Sequence, residues 1–93
     1  MIASFADADA QELYETGRSR RIPFDIQHVA RRKLKYLNNA ADLEDLRVPP
    51  GNHIESLRGD RKEQHSIRIN DQYRICFVWK NGQFHDVTII DYH

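Results

Sequence analysis

The feature that most constrains this chain is a change of period near Asn52. Before it, Ile26, Val29, Ala30, Leu34 and Leu37 recur at spacings of three and four, which predicts an amphipathic helix opening near Pro23. Its other face carries Arg31, Arg32 and Lys35. After it the spacing falls to two: Ile67 and Ile69 alternate with Ser66, Arg68 and Asn70, and Ile75, Phe77 and Trp79 with Arg74, Cys76 and Val78. That pattern requires strands with one face buried. Asn81-Gly82, between Tyr73-to-Lys80 and Gln83-to-Tyr92, is a hairpin signal, because a type I′ turn needs φ > 0 at both central residues.

The remaining elements follow from caps and breakers. Met1 to Phe5 predicts a short strand, and Asp7 is placed to cap a helix of about ten residues that stops at Gly17. Ala41 to Leu46 predicts a further turn or two, ended by Val48-Pro49-Pro50-Gly51. Strand, helices and then three or four antiparallel strands give an α+β fold. An N-terminal strand and two to three helices pack on one face of a twisted, mainly antiparallel sheet, and the other face is left to bind. At 93 residues this is one domain, spanning 1–93.

Charge and composition exclude several classes. The opening residues lack the pattern of a signal peptide, and no segment approaches the ~20 apolar residues of a membrane span, so a cytoplasmic protein with no membrane contact is expected. Cys76 is the only cysteine, which excludes an intramolecular disulfide and a cysteine-cluster metal site; within Ile75-Cys76-Phe77-Val78 it reads as a buried small hydrophobe. Formal net charge is zero, yet Arg18 to Lys35 holds seven basic residues against one acid, Asp25. A basic run is more often a solvated helix face than a nucleic-acid footprint, so this run suggests RNA contact only with other support.

Counting outward from Asn81-Gly82 in an unbroken hairpin sets Arg74 opposite Ile89 and Gln72 opposite Asp91. Arg74, Asp91 and His93 are then expected on one sheet face, and Tyr73 and Tyr92 on the other. A guanidinium beside a carboxylate and an imidazole suits phosphate chemistry: Arg binds the phosphate bidentately while Asp orients the His. Asp91 and the chain's own α-carboxylate would both favour protonated His93, biasing it toward general-acid service. On its own, a terminal triplet of this kind is more often a solvated chain end.

Glu55-Ser56-Leu57-Arg58-Gly59-Asp60-Arg61, Ser66-Ile67-Arg68-Ile69-Asn70, Tyr73-Arg74-Ile75 and the closing Asp91-Tyr92-His93, taken in order, resemble the HigB toxins, or plasmid-maintenance killer proteins, of the RelE/ParE superfamily. The resemblance covers essentially the whole chain. It implies a RelE-like fold and a ribosome-dependent endonuclease that cleaves translated mRNA in the ribosomal A site, with no metal or cofactor required. It also implies a helix-turn-helix antitoxin of HigA type as partner, with operator DNA reached only through that antitoxin. Position by position, Asp91, Tyr92 and His93 match the family's catalytic residues and Arg74 its phosphate-contacting arginine. Arg58 falls where some members have a lysine near the scissile phosphate.

One position departs from the family. Where some members have a histidine, this chain has Glu55, with His53 two residues earlier. Glu55 is the candidate base, and His53 the alternative source of an imidazole. Arg61, Arg68, Arg31, Arg32 and Lys35 complete the expected RNA- or ribosome-binding set, although a solvated strand arginine is as ordinary a reading of Arg68. Two other functions fit the same fold: a ParE-like gyrase inhibitor, and a non-catalytic co-regulator that only binds its antitoxin.

Overall fold

The computed structural model describes residues 1–56 and 64–91; the expectations that fall on Arg58, Arg61, Tyr92 and His93 lie outside the described residues. Helix α1 spans Ala8–Thr16 and α2 Phe24–Asn39. Two short 3₁₀ turns follow, over Leu43–Arg47 and Pro50–Asn52. Four strands, β1 (Glu55–Ser56), β2 (Gln64–Arg68), β3 (Tyr73–Lys80) and β4 (Gln83–Asp91), form one sheet in chain order, each neighbour antiparallel. Among the described residues no helix is long and apolar enough to cross a membrane.

Local chemistry explains the helix boundaries. The Asp7 carboxylate accepts from the Asp9 N–H at 2.8 Å and starts α1. Gly17 ends it at φ 91°, its N–H donating to the Leu13 carbonyl, and a Cβ there would meet Arg31 Nη1 at 2.9 Å. Pro23 offers α2 no side-chain cap. Gln27 instead reaches back from the first turn to donate to the Ser19 and Ile22 carbonyls at 2.7 and 2.8 Å, tying the basic connection to the helix it precedes.

The period change marks the two halves of one core. Ile26, Ala30, Leu34 and Leu37 of α2 and Leu13 of α1 are buried against Ile67, Ile75, Phe77, Phe84 and Val87 of the sheet. Each large side chain so buried contributes about 1.5–3 kcal/mol by removal from water. Phe84 is central: its ring meets Phe77 edge-on at 5.1 Å and Trp79 at 4.8 Å, so Trp79 belongs to the core's margin, as its alternation predicts.

Two expectations need correction, and one residue accounts for both. Asn81-Gly82 does set Lys80 against Gln83 and Trp79 against Phe84, with both turn residues at positive φ. The register then shifts between Val78 and Cys76, where Asp86 adopts φ 53° as an extra residue in β4. Arg74 therefore pairs with Ile90, not Ile89, and Asp91 with Tyr73, not Gln72. The bulge lets Phe84 and Val87, three residues apart, both reach the core. It also interrupts pairing with the N-terminus. Met1 to Ala6 runs parallel to β4, but only through isolated bridges at Ile2–Phe84 and Phe5–Val87, with Ser4 Oγ accepting the bulged Asp86 N–H at 2.9 Å. The expected N-terminal strand is thus a bridged edge segment.

Candidate functional site

Residues opposed across strands share a sheet face. Ile67–Ile75–Ile89 lies on the helix side. Glu55–Ser66–Cys76–Thr88 and Arg68–Arg74–Ile90 therefore lie on the other. This second face buries polar groups: Ser66 is 0% and Arg74 7% exposed. Arg74 Nε donates to Ser66 Oγ at 2.7 Å, and Nη2 donates to the Ser66 carbonyl at 3.3 Å and to the His53 carbonyl. A buried guanidinium must be hydrogen-bonded in this way to be tolerated, and the same bonds fix its direction.

Arg68, directly opposite Arg74, would repel it across the strands. Asp71 relieves part of that repulsion through an ion pair with Arg68 Nη2, but Asp71 is itself fully in solvent. Glu55 adds an exposed carboxylate on the edge strand beside Ser66. The face thus brings together two guanidinium groups, a hydroxyl and a carboxylate. Such a set can bind a phosphate diester and hold a base near it.

The expected alliance of Arg74 with Asp91 does not form. Past the bulge, Asp91 shares the face of Tyr73, where Gln72 Nε2 donates to its carboxylate at 3.0 Å. His53 is exposed, in the left-handed region at φ 42°, and contributes its carbonyl to Arg74.

The basic helix divides. Arg32 and Lys35 are exposed, whereas Arg31 is half-buried and donates through Nε to the Tyr14 carbonyl at 3.3 Å, near the C-terminal end of α1 where a cation is favourable. Lys33, absent from the expected site, reaches the second 3₁₀ turn: its ammonium donates to Asn52 Oδ1. Burial, then the charges of Arg32 and Arg68, lower its pKa from the ordinary lysine value. Its place in Arg31-Arg32-Lys33 was visible, but nothing in Pro49-Pro50-Gly51-Asn52 announced a buried asparagine to receive it.

Comparison with known proteins identifies the frame that carries this face. Toxin HigB-1 of Vibrio cholerae is 43% identical over 83 residues, covering 88% of this chain and 87% of that protein. Endoribonuclease HigB of Proteus vulgaris is 27% identical over 93 residues, covering all of both chains. The crystal structure of YafQ from E. coli superposes with a TM-score of 0.62 at 9% identity, over 99% of this chain and 94% of that one, which supports the RelE-like α+β fold alone. Residues 3–93 match the family described as the RelE-like toxin of type II toxin-antitoxin system HigB, and the chain belongs to that family.

Proposed function

We propose that this toxin is an endoribonuclease that cuts translated mRNA on the ribosome, and that the Arg74 face binds the scissile phosphate. The observation that carries the reading is the Arg74 guanidinium, held by Ser66 and the His53 carbonyl on the polar sheet face directly opposite Arg68, a fork suited to a phosphate. The nuclease name of the Proteus vulgaris relative points the same way. In the mechanism proposed, the 2′-hydroxyl attacks the adjacent phosphorus, forming a bond to it as the bond to the 5′-oxygen breaks. Glu55 receives the 2′-proton, His93 protonates the departing 5′-oxygen, and the arginines stabilise the charge on the phosphorane-like transition state. Asp91 and Tyr92 position His93 and the RNA, while Arg58 and Arg61 bind flanking phosphates.

The ribosome would supply the alignment that a small open site lacks. Arg32 and Lys35, exposed on α2, are the proposed contacts to ribosomal RNA, with Arg31 beside them. A HigA-like helix-turn-helix antitoxin would neutralise the toxin in the cytoplasm. Primer extension on a translated message tests the reading: expression of the wild type should produce ribosome-dependent cuts, and His93→Ala should remove them. Intact message accompanied by gyrase-linked DNA breaks would establish the ParE-like function instead.

A further inference from the structure

Lys33 stands at a junction the catalytic reading does not use. Asn52 is fully buried, and its Nδ2 donates to the Leu46 carbonyl at 3.2 Å, which fixes the amide so that Oδ1 faces the Lys33 ammonium. The next residue, His53, receives Arg74 through its carbonyl. Two consecutive residues therefore hold a cation from α2 and a cation from β3. Arg32, Lys33, Tyr36, Pro49 and Asn52 line a groove of about 160 Å³, against about 30 Å³ for one water. Arg68, on β2, adds to the positive charge that acts on Lys33. Among the described residues the only ion pair made by Arg32, Lys33 or Arg68 is that of Arg68 with exposed Asp71.

We propose that Lys33, oriented by Asn52 and beside Arg32 in the groove, is a phosphate-binding subsite for the RNA backbone, one residue step from the Arg74 contact at His53. The inference rests on the nuclease reading and extends its footprint from the sheet face onto α2. Arg32 and Lys33 line the groove together, their mutual repulsion and the charge of Arg68 disfavour the charge on Lys33, and an entering phosphate reverses both effects. The Asn52-His53 step, which holds Lys33 on one residue and Arg74 on the next, favours a polynucleotide, whose phosphates recur along the chain, over an acidic protein segment.

The test uses the full chain and single-stranded RNA made uncleavable by 2′-deoxy substitution, with binding followed by fluorescence anisotropy across a salt series. Lys33→Gln should weaken binding about 3- to 10-fold and reduce the slope of log K against log salt by about 0.7, the value of one single-strand phosphate contact. Lys80→Gln, at the exposed hairpin end, should change neither. In the wild type, the Lys33 pKa read by NMR should rise when this RNA is added and stay fixed with sodium chloride of equal ionic strength. If the wild type cuts message but Lys33→Gln binds RNA with unchanged affinity and slope, the subsite is overturned and the nuclease reading stands. Loss of affinity for polyglutamate with RNA binding intact would also overturn it, in favour of an acidic protein partner. A wild type that neither cuts message nor binds RNA would overturn both.

Discussion

The two faces of the sheet are built on opposite principles. Toward the helices, Ile67, Ile75, Phe77, Phe84 and Val87 form an interior with no charged member. On the other side, Ser66 and Arg74 are nearly as inaccessible but polar, and Arg68 lies opposite Arg74. The first face is held by burial of apolar surface; the second holds a buried guanidinium through hydrogen bonds from Arg74 to Ser66 and His53. A buried, hydrogen-bonded guanidinium opposite a second arginine is what suits the second face to binding an anion.

Substitutions can separate the two faces. The largest effect on folding is expected from Phe84→Ala, which removes the ring between Phe77 and Trp79 and should cost about 3–5 kcal/mol in denaturant unfolding. Arg74→Ala should cost about 1–3 kcal/mol, because Ser66 and the His53 carbonyl lose a buried partner. Asp86→Val should cost about 1–2 kcal/mol by forcing a β-branched residue into the left-handed region, whereas Asp86→Gly should lie within about 0.5 kcal/mol of wild type. If the valine variant melted as the wild type does, the bulge would not be what sets the register of β4.

The smallest effect has the opposite sign. The folded-state pKa of Lys33 lies below its unfolded value, so in the window between them the unfolded chain holds a proton that the folded chain has released. Stability should therefore rise with pH through that window, up to about the ordinary value of 10.5. Lys33→Gln should abolish this rise. At neutral pH it should melt at or slightly above the wild-type temperature, since it removes a charge that burial and two arginines disfavour. Thermal melts between neutral pH and about pH 10.5 check both statements.

The helices, the hairpin turn and the core were legible because they rest on local rules: spacing at Ile26 to Leu37, the cap at Asp7, the stop at Gly17, and the turn at Asn81-Gly82. The arrangement of the candidate site was not legible. Arg74 and Glu55 do share a face, yet Asp91 does not join them, because one residue at Asp86 reverses parity for the rest of β4. The signal was in the sequence: Phe84 has one parity and Val87 and Ile89 the other, which no regular strand can bury together. The carbonyl of His53 and the amide of Asn52 had no such signal, since their roles come from a loop's tertiary placement.

Arg74→Lys offers the most direct test of the claim that the polar face is the working one. It keeps the positive charge but removes the planar fork that meets Ser66 and His53 and that is proposed to hold the phosphate. Cleavage of a translated message, followed by primer extension at equal levels of folded protein, should slow by about 100-fold or more. Cutting at the wild-type rate would contradict the account.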